Sequence, residues 1–248
     1  MGTVVTFDLY DDDAASKELE PILREAIDVL HEADDVFSTY QADSPISRLR
    51  RGEITLEQCP TLVHDVFALC EDARTITHGW FDPWSLPGGV DPTGYVKGWA
   101  AQRSLDVLRR SGIRGALVNA AGDTASFGGP LPGAPFRIGI VDPAQTQNLA
   151  CVVESPGAVA TSGTYERGGH LIDPHTGRPT SRAASATVTG IDLGLADALA
   201  TAIAVAGRAA LPLVETLDDF EALIIDFDGD FEMTSGFHAA PAPSKAVR

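Results

Sequence analysis

Residues 160–179 read ATSGTYERGGHLIDPHTGRP, and the rest of the chain is organised around this stretch. Thr161, Ser162 and Gly163 have the composition of a turn, because glycine reaches positive φ without steric cost. His170 opens HLI, a short β-like run that Pro174 stops. A histidine at the mouth of a strand, with Asp173 three residues on, is placed for acid–base chemistry. A hydrogen-bonded structural histidine fits the same spacing. Strand-like runs flank the stretch on both sides, FRIGIV and ACVVES before it and SATVTG after it.

Beyond SATVTG comes GLADALATAIAVA at 194–206, an alanine-rich segment apolar nearly all round, which predicts a buried helix. Asp197 and Thr201 are four residues apart, so they share one face of it. An unpaired carboxylate in such a helix is costly. Two readings meet that cost: stabilisation by the dipole at the helix N-terminus, or a hard cation shared by carboxylate and hydroxyl oxygens. The chain then runs into EALIIDFDGDFEMTSG, a predicted β-hairpin with an Asp-Gly turn. APAPSKAVR after Ala239 reads as a disordered end.

On the N-terminal side, residues 3–9 alternate as a first strand. From Ser16 the apolar positions Leu19, Ile22, Leu23, Ala26, Ile27, Leu30 and Ala33 keep helical spacing up to Phe37. FSTYQADSPISRL is polar and turn-rich, with Tyr40 exposed. A second helix is predicted from Pro60 to Ile76, with Pro60 in its first turn. GWFDPWSLPGGVDPTGYVKGW, at 79–99, is the densest Gly, Pro and aromatic segment. Its aromatics either wall a binding site or plug a gap in the core. A helix over 95–110 is capped by Gly112, then GALVN is a buried strand and AAGDTASFGG a glycine-rich loop. Interleaved strands and helices with no linker favour one α+β unit.

The 248 residues carry 35 acids against 18 bases, a formal net charge of −17. That excludes a general nucleic-acid or anionic-membrane binder, which needs clustered Lys and Arg. A phosphate ligand would have to be neutralised locally, by a divalent cation or a few placed bases. Cys59, Cys70 and Cys151 form no C-x-x-C pair and read as small buried hydrophobes in a reducing compartment. No membrane span is expected, and the formal myristoylation match of MGTVVT sits on a predicted strand. The expected location is cytoplasmic.

In order along the chain, MGT before the first strand, FSTYQADSPIS, FDP, VDPTGYVKG, NAAGD, TSGTYERGGHLIDPHTGRP and ADALATA resemble the ApbE family of Mg²⁺-dependent FAD:protein FMN transferases. The resemblance covers residues 1–237. It implies a single domain over 1–238 with a disordered tail at 239–248, and two closely packed α+β lobes around a flavin-nucleotide cleft. The implied reaction moves FMN from FAD to a Thr or Ser hydroxyl of an acceptor protein and releases AMP. By matching motif, Met1, Tyr40, Trp80, Phe81, Asp82, Asp91, Lys97 and Ile172 would contact FAD. Gly94 (through its carbonyl), Asp197 and Thr201 would hold Mg²⁺, and His170 would activate the acceptor hydroxyl. The family chemistry answers the charge question above, since metal and lysine can offset the charge of a phosphoryl group in transfer.

Some positions depart from the family pattern. NAAGD has Ala121 where relatives commonly have glycine, costing about 1–2 kcal/mol if φ there is positive. Ala200 stands where some relatives carry an acid, leaving Asp197 as the only carboxylate assigned to the metal. Pro92 lies between Asp91 and Lys97. The same pocket would also serve an FAD hydrolase giving FMN and AMP, or a non-catalytic FAD carrier.

Overall fold

The structure, a computed structural model, describes residues 3–11, 19–163, 171–180 and 182–242. Met1 and His170 therefore lie outside the described residues. At the centre is a seven-stranded antiparallel sheet, ordered β1-β2-β3-β6-β9-β10-β11. Its strands are β1 (Val5–Tyr10), β2 (Gly115–Ala120), β3 (Asp123–Phe127), β6 (Ala158–Gly163), β9 (Ser185–Gly190), β10 (Glu221–Ile225) and β11 (Phe231–Met233). A smaller sheet joins β4 (Arg137–Val141), β5 (Leu149–Glu154) and β12 (Ala240–Pro241), and β7 (Ile172–Asp173) pairs with β8 (Arg178–Pro179).

Side-chain alternation along the strands decides what covers each face of the large sheet. Ala158 and Ala160 of β6, with Ala222 and Ile224 of β10, point into the main core beneath the helices. Val159, Leu223 and Ile225, one residue out of phase, point the other way and meet Ile140, Cys151, Val153 and Phe237 around the small sheet. Strands buried on both faces cannot show a polar–apolar alternation. β10 accordingly reads as the continuous run ALII.

The helical layer consists of α1 (Leu19–Phe37), α2 (Pro45–Arg50), α3 (Thr61–Ile76), α4 (Thr93–Arg110), α5 (Leu193–Ala206) and the short α6 (Leu211–Val214). α4 and α5 lie on the sheet, with Leu105, Leu108, Leu199 and Ile203 in the main core. The Ser104 hydroxyl donates to the Ala26 carbonyl at 2.7 Å, tying α1 to α4. A second core, including Phe37, Ile46, Val66, Cys70, Phe81 and Tyr95, joins α2 and α3 to the outer side of α4 and α5. All three cysteines are free and buried, and burial pushes the Cys70 thiol up to about 12.

Several elements differ from the sequence reading. AAGDTASFGG is a turn followed by β3, not a loop. Its two turn residues, Ala121 and Gly122, have φ of 53° and 99°, and Ala120 pairs with Asp123 across them. Positive φ at both central positions is the tight hairpin geometry whose twist matches the strands. Thr161, Ser162 and Gly163 end β6 rather than forming a turn, because they pair with Thr187, Ala186 and Ser185. FSTYQADSPISRL contains α2, nucleated by Ser44, whose hydroxyl accepts the Ser47 N–H at 3.0 Å. Past Ala239, Ala240 and Pro241 pair with Val152 and Cys151.

The run Leu193–Val214 is, contrary to the sequence reading, long and apolar enough to cross a bilayer by length and composition. It is 72% buried inside the protein, so its apolarity is that of a core helix.

Candidate functional site

A cavity of about 330 Å³ opens where the N-terminal turn of α4, the 80–91 loop, β6, α5 and the start of β7 converge. That volume lies in the range of small-molecule sites. The α4–α5 crossing positions one wall. A Cβ on Gly98 would stand 2.3 Å from the Leu193 carbonyl oxygen, so the absent side chain lets α4 lie directly on the first turn of α5. One turn earlier, a Cβ on Gly94 would meet Phe81 at 3.3 Å and the Thr201 hydroxyl at 3.7 Å. The main chain at Gly94 thus faces Thr201.

Asp197 is 3% exposed, and its position settles which carboxylate caps α5. Asp192 is the capping residue, accepting the Leu195 N–H at 2.7 Å. Asp197 lies more than a turn further in and borders the cavity. The Thr201 hydroxyl is 3.3 Å from the Ser162 hydroxyl at the end of β6. Behind it Thr161 and Thr187 share a hydroxyl contact of 2.9 Å.

Lys97, one turn beyond Gly94, projects between two acids. Its ammonium contacts Asp123 Oδ2 directly and stands 3.8 Å from Asp197 Oδ1. Asp123 is 1% exposed, and its other oxygen accepts the Thr161 N–H at 2.9 Å. The buried Asp123 charge is offset by the Lys97 ammonium and by the Thr161 N–H.

The opposite wall is the 80–91 loop. Phe81 fills the second core and at the same time borders the cavity, so the loop both plugs the core and walls the site. Asp82 accepts the Trp84 N–H at 2.9 Å. Asp91 accepts from Arg50 at 3.0 Å and from the Thr93 N–H at 3.1 Å, which fixes its carboxylate at the start of α4. Trp80 touches the ring of His175 (centroids 4.4 Å apart) and lies 5.2 Å from the Arg182 guanidinium. Asp173 in turn accepts the His175 N–H at 2.9 Å and meets Arg182 at 3.4 Å. The β7–β8 hairpin, with Ile172 at the cavity, is thereby tied to Trp80. Tyr40 is at the rim, 84% exposed.

Tyr40, Trp80, Phe81, Asp82, Asp91, Gly94, Lys97, Ile172, Asp197 and Thr201 all line this one cavity. Ala200 does not: it is fully buried in the main core, so an acid in its place would not share the wall of Asp197 and Thr201. Sequence reasoning missed Asp123 and Ser162. Asp123 was legible as the acid directly after a two-residue turn, and Ser162 as the residue two places from Ala160 on an alternating strand. Among the described residues no cluster of three or more His, Cys, Asp or Glu side chains is placed to hold a metal. The donors at the α4–α5 wall are all oxygens, one carboxylate with hydroxyl and main-chain groups. Such a set suits a hard cation that keeps several waters.

The model of the ApbE family matches residues 1–88 and 87–224. The FAD:protein FMN transferase of Rhodobacter capsulatus is 35% identical over 160 residues, 60% of this chain and 30% of that protein. The FAD:protein FMN transferase of Vibrio cholerae is 36% identical over 130 residues, 48% of this chain and 39% of that protein. The chain thus spans well under half the length of these two relatives. Among solved structures, the flavin transferase ApbE from Vibrio cholerae superposes with a TM-score of 0.75 at 24% identity, covering 97% of this chain and 94% of that one. The ApbE protein of Thermotoga maritima gives 0.79 at 21% identity, covering 94% of each chain. At those identities the likeness establishes the α+β fold, and the family-model match over most of the sequence establishes the rest: the chain belongs to the ApbE family.

Proposed function

We propose that this chain transfers the FMN moiety of FAD to a Thr or Ser hydroxyl of an acceptor protein and releases AMP, with Mg²⁺ as cofactor. The single observation that carries the reading is the convergence of the ten described candidate residues on one cavity. Two relatives that bear the name FAD:protein FMN transferase support it.

In the proposed step the acceptor oxygen attacks the FMN-side phosphorus of FAD. A new P–O ester bond forms as the bridging P–O bond of the diphosphate breaks, and AMP leaves with the bridging oxygen. The hydroxyl proton passes to a base, a role proposed for His170, which lies outside the described residues. Such a base typically contributes ~10²–10⁴-fold. Trp80, Phe81 and Ile172 offer apolar surface to the flavin, while Asp82 and Asp91, fixed by their own hydrogen bonds, offer carboxylate oxygens to its donors. Lys97 adds a point charge near the diphosphate.

The carboxylate of Asp197, the hydroxyl of Thr201 and the carbonyl of Gly94 would hold Mg²⁺. When bound, the ion supplies neutralisation of charge on the diphosphate. The chain's net charge of −17 makes such a local counter-charge necessary for any polyphosphate ligand.

Incubation with FAD and Mg²⁺, following AMP, tests the reading. Transfer gives AMP only when an acceptor protein is present, together with an FMN adduct on that protein. AMP without an acceptor assigns FAD hydrolysis instead, and no AMP in either case leaves a carrier.

A further inference from the structure

Arg50 is not among the residues that line the cavity, yet it is bonded to one that is. It ends α2, a helix with a firm seat. Ile46 is fully buried in the second core, and the Ser44 and Ser47 hydroxyls both donate to the Ser38 carbonyl, at 2.5 and 3.0 Å. From this fixed base the Arg50 guanidinium donates through Nη1 to Asp91 Oδ2 at 3.0 Å. The 80–91 loop is shaped around it. Gly88 and Gly89, with φ of 85° and 100°, turn the loop across Arg50. A Cβ on Gly88 would stand 2.9 Å from Arg50 Nη2, and one on Gly89 would touch the Cα and Cγ at 3.7 Å. Asp91 closes the same loop, its N–H donating to the Pro83 carbonyl at 2.8 Å. Its Oδ1 takes the Thr93 N–H, so Arg50 fixes the second oxygen and with it the plane of the carboxylate.

We infer that Arg50 is a positioning residue: from behind the cavity wall it sets the plane of the Asp91 carboxylate, and through it the affinity for FAD. The inference rests on the FAD reading proposed above. Each carboxylate oxygen has more than one acceptor direction, so Asp91 held by Thr93 and Arg50 still presents lone pairs to a ligand donor. What the two bonds remove is side-chain rotation. A group held in place before the ligand arrives loses less freedom on binding. The pair is partly buried, with the Arg50 and Asp91 side chains 20% and 23% exposed. There a charge-assisted hydrogen bond is stronger than a neutral one, and salt screens it less than it screens a surface pair. Without the guanidinium, the carboxylate turns about the Thr93 N–H alone.

FAD is the probe, titrated calorimetrically into the full chain with Mg²⁺ present. Losing a positive charge near a diphosphate would also weaken binding, so the titrations are run at high salt, where charges more than a few ångströms apart are largely screened. Arg50→Met keeps an apolar stem against Gly89 and removes the guanidinium, and is expected to weaken FAD binding about tenfold. Arg50→Lys keeps a charged donor and is expected to stay within about threefold of the parent. In an Asp91→Ala background, Arg50→Met is expected to have less than about a twofold effect, because no carboxylate is left to hold. A merely structural role for Arg50 would give the same loss in both backgrounds, and that result overturns the inference. So does a loss as large in Arg50→Lys as in Arg50→Met. If Arg50→Met fails to fold, Gly88→Ala displaces the guanidinium instead, and unchanged FAD affinity in that variant overturns the inference. Absence of FAD binding in the parent chain overturns the proposed function and the inference with it, whereas parent binding that Arg50→Met leaves unchanged overturns the inference alone.

Discussion

Gly98 of α4 lies against the main chain of Leu193 at the start of α5, so close that a Cβ would stand 2.3 Å from the carbonyl oxygen and 2.7 Å from the carbonyl carbon. Backbone atoms cannot give way as a flexible side chain can, so even a methyl group must push the helices apart. Gly98→Ala is expected to destabilise the protein by about 1–3 kcal/mol, the usual cost of overpacking a filled core. Urea denaturation measures it. The same displacement separates Gly94 from Thr201, so FAD binding in the presence of Mg²⁺ should weaken in parallel.

Ala121 is a strained residue whose relief should be measurable. It has φ of 53° in the β2–β3 turn, a region that costs an L-residue with a Cβ about 1–2 kcal/mol. Glycine removes that cost but loses more backbone entropy on folding, about 0.4–1 kcal/mol. Ala121→Gly is therefore expected to stabilise the protein by about 0.5–1 kcal/mol, with a higher melting temperature in calorimetry. An unchanged or lower melting temperature would contradict the strain.

Where hydrophobic period was strong, sequence and structure agree: α3 at Thr61–Ile76 and the buried α5 at Leu193–Ala206 lie within a residue of their predicted bounds. Local pattern failed where tertiary pairing set the conformation. Thr161, Ser162 and Gly163 look like a turn but are a strand because β9 offers them partners. DTASF, small and polar, is a strand because β2 and β6 flank it. The ten candidates that line the cavity were named through the family resemblance, motif by motif. Asp123 could be picked out as an acid after a turn, but its contact with Lys97 joins β3 to α4, and spacing along one chain segment carries no information about such a pairing.

Alkaline pH should expose the cost of burying Cys70. Burial raises its thiol from 9.0 to about 12, so between those values the unfolded chain loses a proton that the folded protein keeps. The unfolded state binds fewer protons there, and stability falls as pH rises, by up to about 1.4 kcal/mol per pH unit from this one group. Burial raises the Tyr95 phenol as well, which adds to the decline above about pH 10. Urea midpoints measured from pH 8 to 11 should therefore drop, and Cys70→Ala should flatten the part of the slope that begins near pH 9. A slope identical in parent and variant would show that Cys70 ionises normally in the folded protein.

Metal binding and base catalysis should separate under mutation, since the proposed roles use different residues. Thr201→Ala deletes a hydroxyl from the α4–α5 wall, where it stands 3.3 Å from Ser162. It should weaken Mg²⁺-dependent FAD binding in calorimetry and lower AMP release with it, and raising Mg²⁺ should recover part of the loss. His170→Ala should leave FAD and Mg²⁺ binding within about twofold of the parent while slowing acceptor-dependent AMP release by ~10²–10⁴-fold. Extra Mg²⁺ should not rescue it. Equal transfer rates for parent and His170→Ala across pH 6–8 would remove the histidine from the mechanism while leaving the metal assignment standing.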